Sequence, residues 1–402
     1  MNFAAVQVGG SESADRTEGI LTAIGEFRHE FEEAGGIAEE DRTLPLEIVE
    51  QMRQLGLFWL KTPAELGGSE LTPVECSRVL EELAYCDASV AWAAMVGNGT
   101  TGTMAGWLPR EGVEEIFSPG DRLPIFAGQF GSRGSATPAR DGFRVSGRWS
   151  FCSGIEHADW VVGGCQVEGE PGTEIVVTVP KREAELHDTW FVAGLQGTGS
   201  GDFSLSNTFV PTSWTFDWNR APAMRGGPLF RQPHLLFIAN ELSPVAVGVA
   251  RRAIDDMISL ASDISRRPGG AKLSDRPVFQ RDIARVSAGV RSVQLLYRDA
   301  ISRAWDATRE ERDLGGSFIP TILAEHTLVV EMCSELVTQL FRYGGGRVLA
   351  LNHPMQRHVR NLIAAKQHVF VTDENYEVAG RARLADAALD IAVTSGEQIV
   401  RG

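Results

Sequence analysis

The hydrophobic period of this 402-residue chain changes twice, and that double change limits its fold more than any single residue does. Up to about residue 122 the apolar residues recur at helical spacing. Ile48, Val49, Met52 and Leu55 form a stripe after Pro45, which suits a first helical turn. Gly67 and Gly68 interrupt the chain, and Thr72-Pro73-Val74-Glu75 then has the spacing of a capping box ahead of Val79, Leu80 and Leu83. Asp87 is placed to cap the next helix. Its residues Val90, Trp92, Ala93, Met95 and Val96 are so evenly apolar that a central position is expected.

From about 123 to 232 the pattern becomes a series of short β-rich runs, at 125–130, 143–149, 160–167, 175–179 and 203–206, the last continuing towards Phe209-Val210-Pro211. No helical crossover separates them, so an antiparallel barrel or sandwich is expected. Helical periodicity returns over about 234–265, 277–314, 320–343 and 355–383. The breaks are Pro268-Gly269-Gly270, Gly315-Gly316 and Gly344-Gly345-Gly346, and Pro277 and Pro320 occupy first-turn positions. Four long helices on short connections predict an antiparallel four-helix bundle. The fold class is therefore α+β, mostly α, with expected domains at 1–122, 123–232 and 233–402.

Charge narrows the partners. With 38 Lys and Arg against 53 Asp and Glu, the formal charge is −15, and no basic run offsets it, so neither nucleic acid nor an anionic membrane is an expected partner. The five cysteines are odd in number and contain no CxxC pair, which argues against a disulfide framework and a cysteine-rich metal site. Met1 to Gly19 lacks an apolar signal core, and no run of about 18 uncharged apolar residues occurs, so a cytoplasmic protein is expected. No GxGxxG follows a strand, so no tightly bound nicotinamide cofactor is expected.

Four local sequences, in order, resemble the acyl-CoA dehydrogenase superfamily. They are Trp59 to Gly68 (WLKTPAELGG); Gly147-Arg148-Trp149 with Ser153-Gly154; Gly194 to Ser200 (GLQGTGS) running to Val210-Pro211; and Tyr343 to Pro354 (YGGGRVLALNHP) with Gln356, Arg357 and Arg360. The stretch Trp149 to Trp160 (WSFCSGIEHADW), two residues longer than is usual in the dehydrogenases, and Gly197-Thr198-Gly199-Ser200 resemble the two-component, group D flavin monooxygenases of that superfamily. The dehydrogenases carry a carboxylate base about fifteen residues after the proline of the C-terminal turn. Counting from Pro354 reaches Val369, which cannot accept a proton, with His368 beside it. Some dehydrogenases place the base on the first bundle helix, where Asp255 and Asp256 lie, so a dehydrogenase or oxidase remains the alternative.

The resemblance implies a reduced flavin, FADH2 in preference to FMNH2, supplied by a separate NAD(P)H:flavin reductase and reacting with O2 through a C4a-hydroperoxide to hydroxylate an aromatic or heteroaromatic molecule. It implies Ser153 near the flavin N5, and Trp149 and Phe151 as candidates for the flavin wall, with β-domain core as the competing reading. Thr198 and Ser200 are candidates for the flavin's pyrimidine or phosphate edge, while Gly197 and Gly199 allow close backbone approach. Gly345 and Gly346 are candidates for the nucleotide tail, reached from a neighbouring subunit of a homotetramer, or for a helix C-cap. His368 falls where related monooxygenases place a histidine at the flavin, as base or as hydrogen-bond partner of the peroxide. His157 is expected to be structural, and His353 and His358 to flank the turn. Some phenol hydroxylases of the group carry a second active-site histidine where this chain has Thr101, which favours a substrate needing less base assistance, such as an indole or an amine.

Overall fold

The computed structural model describes residues 11–118, 122–263 and 271–395; the break at Pro268-Gly269-Gly270 lies outside them. The chain divides into two compact units, Met1–Pro233 and His234–Gly402.

The first unit begins with α1 (Ser11–Glu26), α2 (Arg28–Asp41), α3 (Leu46–Gln54), α4 (Pro73–Cys86), α5 (Ala88–Trp107) and α6 (Arg110–Ile116). Pro45 precedes α3, whose buried face includes Ile48, Val49 and Met52. The capping box opens α4: Glu75 N–H donates to Thr72 Oγ1, and Thr72 N–H donates to the Glu75 carboxylate at 2.8 Å. Asp87 then caps α5 by accepting from the N–H groups of Ser89 and Val90. Every α5 residue except Val96 is buried, as its even apolarity requires. It packs on α2, α4 and the first strand.

The strands are β1 (Phe126–Ala139), β2 (Gly142–Trp149), β3 (Trp160–Val167), β4 (Glu174–Pro180), β5 (Glu185–His187), β6 (Asp202–Pro211) and β7 (Thr215–Asp217). They form one sheet in the order β5-β6-β2-β1-β3-β4-β7. All neighbours are antiparallel except β1 and β3, which run parallel from Phe126↔Trp160 to Ala136↔Val167. The all-antiparallel expectation is therefore corrected at one pair. The cause is the connection at 150–159: β2 and β3 lie on opposite sides of β1, so this segment must cross the end of β1, and no helix is needed to do it. The same crossing carries Ser153. β4 and β6 touch although three strands separate them in the sheet, so the sheet curls around a core that includes Val161, Val177 and Phe203.

The second unit contains α7 (His234–Ala239), α8 (Leu242–Asp263), α9 (Pro277–Arg309), α10 (Phe318–Phe341), α11 (Pro354–Ala365) and α12 (Asp373–Ser395). α10 packs against α8, α9, α11 and α12, so α8, α9 and α10 hold three bundle positions and α11 and α12 share the fourth. Two expected helices are thus interrupted: 234–265 breaks at Asn240-Glu241, and 355–383 breaks at 366–372. The second break has a local cause. Val369, Val371 and Thr372 are β-branched, and side chains occupy the main-chain groups a continuing helix would use. Asn375 Nδ2 donates to the Phe370 carbonyl at 2.9 Å, and Phe370 N–H donates to His368 Nδ1 at 3.3 Å. His368 therefore sits in a turn, where a helix was expected.

Candidate functional site

Two loops of the first unit meet at Ser153. The crossing segment is tied to the 195–201 segment by Gly154 N–H to the Thr198 carbonyl (2.8 Å) and Cys152 N–H to the Gly201 carbonyl (3.1 Å). Side chains complete the junction. Trp92 Nε1 on α5 donates to Ser153 Oγ at 3.2 Å, Ser153 Oγ lies 2.7 Å from Ser200 Oγ, and Ser200 Oγ lies 2.7 Å from Thr198 Oγ1. Thr198 Oγ1 donates to the Leu195 carbonyl at 2.8 Å. Ser153, Ser200 and Thr198, singled out separately in the sequence, thus form one buried chain of hydroxyls. Trp92 belongs to it and was missed, because an indole within an evenly apolar helix reads as core; its lone N–H was the available signal.

Trp149 corrects its expectation. Its ring is fully buried, stacks on Phe203 at 4.8 Å, and donates Nε1–H to the Gly164 carbonyl at 2.9 Å. Glycines from three strands make room for it: a Cβ on Gly134, Gly147 or Gly163 would lie 2.4, 2.8 or 2.5 Å from the indole. The ring expected to wall a cofactor is the centre of the sheet's own core. Phe151, for which core was the competing reading, is 70% exposed and has a left-handed backbone (φ 62°). A bulky residue adopts that conformation against steric cost, and here it turns the ring out of the sheet. Phe151 meets Trp190 edge-on, and Trp190 Nε1 donates to the Leu195 carbonyl. Arg42 forks onto Asp188 and lies 4.0 Å above the Phe191 ring, which fixes the neighbouring segment.

The glycines divide. A Cβ on Gly197 would lie 2.6 Å from Ala38 and 2.9 Å from Ser89 Oγ, so packing on α2 and α5 accounts for it. Gly199 has φ +56°, a turn requirement. Cys152 is buried between Phe151 and Ser153, and burial pushes its thiol well above the usual range, which keeps it protonated and inert. His157, on the same loop, packs at 5.4 Å from Phe58 with its Nδ1 buried, and burial, with Arg53 and Lys181 nearby, lowers its pKa to about 3. Thr101 is fully buried, and its Oγ1 accepts from Phe126 N–H at 3.1 Å.

The second unit holds the remaining residues, considered on their own. His368 is half-buried, lies 5.1 Å from the Phe370 ring, and burial lowers its pKa to about 4. Its Nδ1 accepts from Phe370 N–H, so the neutral ring carries its proton on Nε2. Val369 beside it is exposed. Gly345 (φ +62°) and Gly346 are exposed, and a Cβ on either would meet nothing within 4 Å. His353 caps α11 by accepting from Met355 N–H. Asp256 is engaged by His358 Nε2 and Arg252 Nε, each at 2.8 Å. Burial alone would raise its pKa, but His358 and Arg252 outweigh it and hold the carboxyl below its usual value. A carboxylate so engaged is a poor base for a carbon acid. Asp255 is exposed on the same helix. Among the described residues no cluster of His, Cys, Asp and Glu could hold a metal, and no helix is long and apolar enough to cross a membrane.

Comparison with known proteins agrees with this architecture. The acyl-CoA dehydrogenase N-terminal domain model matches residues 24–111, and the acyl-CoA dehydrogenase C-terminal domain model matches residues 241–373. Indole-3-acetate monooxygenase of Pseudomonas putida is 28% identical over 358 residues, covering 86% of this chain and 88% of the relative. The oxygenase component of the FADH2-dependent resorcinol hydroxylase of a Rhizobium species is 27% identical over 374 residues, covering 87% and 89%. In fold, the chain superposes on XiaF from a Streptomyces species, solved with FADH2 and glycerol, with a TM-score of 0.86 and 23% identity over 93% of this chain and 97% of that one. The chain belongs to the acyl-CoA dehydrogenase superfamily, and within it to the flavin-dependent monooxygenases. The dehydrogenase alternative built on Asp255 or Asp256 is not favoured.

Proposed function

We propose that this chain is the oxygenase component of a two-component system, taking FADH2 in preference to FMNH2 from a separate NAD(P)H:flavin reductase and using O2 to hydroxylate an indole-like molecule in preference to a phenol. Bound reduced flavin supplies the electrons that activate O2; the protein supplies position, dryness and hydrogen bonds. The donor set fits such a group: a buried hydroxyl at Ser153 for the flavin's N5 edge, an outward aromatic ring at Phe151, and between them a Cys152 thiol that burial keeps protonated. His368 acts as a hydrogen-bond donor through Nε2 to the oxygen being transferred. A ring that titrates near 4 is too weak a base to deprotonate a phenol at neutral pH.

The observation that carries the substrate preference is Thr101. Its buried hydroxyl oxygen on α5 accepts from Phe126 N–H at the start of β1, so the place of the second histidine holds no base. An indole ring is electron-rich without deprotonation; a neutral phenol is less so. With FADH2 and O2, indole and indole-3-acetate are expected to give hydroxylated product with less hydrogen peroxide released per flavin than resorcinol or phenol. Tighter coupling on the phenols at pH 7 would overturn the preference.

A homotetramer, with Gly345 and Gly346 approaching the nucleotide tail bound to a neighbouring copy, is part of the same reading. The open space at both glycines and the exposed Leu349 and Leu351 that follow them support it.

A further inference from the structure

The hydroxyl chain at Ser153 has a direction. An indole N–H only donates, and a carbonyl oxygen only accepts. At one end Trp92 Nε1–H points at Ser153 Oγ. At the other, the single proton of Thr198 Oγ1 is committed to the Leu195 carbonyl. The 2.7 Å contact between Thr198 and Ser200 therefore has Ser200 as donor. That uses the proton of Ser200, so the 2.7 Å contact between Ser200 and Ser153 has Ser153 as donor. One polarity satisfies all four bonds: Trp92 to Ser153 to Ser200 to Thr198 to Leu195.

We infer that Thr198 and Ser200 are positioning residues that hold the Ser153 hydroxyl as a hydrogen-bond acceptor, and that this polarity makes the site select reduced over oxidised flavin. The inference rests on the reading above that Ser153 meets the flavin's N5 edge. With the chain intact, the Ser153 proton is spent on Ser200 and one lone pair is taken by Trp92; one lone pair remains. The reduced isoalloxazine offers an N5–H to that lone pair. The oxidised ring offers a lone pair of its own. To bind it equally well, Ser153 would have to turn its proton away from Ser200, leaving a buried acceptor unsatisfied. A preference of roughly 10–100-fold for the reduced form follows from the usual consequence of one such loss. The selection needs no charged residue and no movement of the backbone.

The test is the ratio of dissociation constants for FAD and for photoreduced FADH2, measured anaerobically by equilibrium dialysis on the full-length protein. Thr198→Val removes an acceptor two hydroxyls away from Ser153. Ser200 is then free to donate to Ser153, Ser153 to donate outward, and the preference for FADH2 should fall about tenfold or more. Ser200→Ala should do the same by freeing the Ser153 proton. Thr198→Ser, which keeps the hydroxyl, should retain the wild-type ratio, and Trp92→Phe should leave it nearly unchanged, because the Leu195 end still sets the direction. A merely structural role for Thr198 would weaken both forms together. If Ser153→Ala changes the ratio but Thr198→Val and Ser200→Ala do not, the directional chain is wrong while Ser153 stays at the flavin. If Ser153→Ala changes neither constant, both the chain's role and the placement of Ser153 at N5 fall.

Discussion

His368→Ala is expected to lower product formation by roughly 10²–10⁴-fold, the usual worth of a positioned proton donor or acceptor at a reacting centre. Binding of FADH2 should persist, because the proposed contact is with the transferred oxygen rather than the cofactor's tail. The tautomer sharpens the expectation. Phe370 N–H holds the Nδ1 lone pair, so the neutral imidazole carries its proton at Nε2 and has no second lone pair with which to act as a base. His368→Gln, which keeps an N–H donor, should recover part of the loss. With a ring pKa of about 4, His368 stays neutral from pH 6 to 8, so coupled product formation should show no titration of this residue in that range. A His368→Ala variant that hydroxylates at the wild-type rate with normal coupling would reduce this residue to a filler of its turn.

Acid stability gives the second large effect. His157 and His326 are buried, and burial lowers their pKa values to about 3 and about 4; Arg53 and Lys181 add to the shift at His157, and Arg303 at His326. In the unfolded chain both return to about 6.5. Between the folded and unfolded values the unfolded state binds more protons, so stability is complete above about pH 6.5 and is lost as the pH falls towards 4. Each residue accounts for a loss on the order of 3 kcal/mol across that window. Denaturant midpoints measured from pH 7.5 to 4.5 should fall steeply below 6.5. His326→Gln, which keeps a hydrogen-bonding but non-titrating side chain beside Ser243, should flatten the fall by about one proton's worth of slope. An unchanged slope in that variant would mean that His326 is not neutral in the fold.

The architecture was legible where it depends on period. The capping box at Thr72, the Asp87 cap and the buried face of α3 follow from spacing, because each is closed within a few residues. What spacing cannot reveal is which segments meet. The direction of β1 against β3 depends on where the 150–159 segment crosses, and apolar alternation is the same for parallel and antiparallel pairs. The latter part of β1, Gly134 to Ala139, was missed because glycine and small polar residues carry no strand signal, yet Gly134 is there to admit Trp149. At the site, Ser153, Thr198 and Ser200 were legible through a resemblance, while Trp92 and the Leu195 carbonyl that give the chain its direction were not. The Asp256–His358 pair spans 102 positions, so the engagement that disqualifies Asp256 as a base had no local signature. His368 was expected on a helix because the segment's overall period favoured one; the β-branched Val369, Val371 and Thr372 and the side-chain bonds to Phe370 decided otherwise.

The central claim, that the protein steers the reaction of reduced flavin with oxygen, is tested most directly by stopped-flow mixing. The protein is loaded anaerobically with FADH2, mixed with oxygenated buffer, and compared with free FADH2; a parallel sample holding oxidised FAD is mixed with an acyl-CoA. Reoxidation in the protein should separate into resolved phases that free FADH2 does not show, and the acyl-CoA should leave the oxidised flavin coloured. Reoxidation indistinguishable from that of free FADH2, with bleaching by the acyl-CoA, would contradict the account.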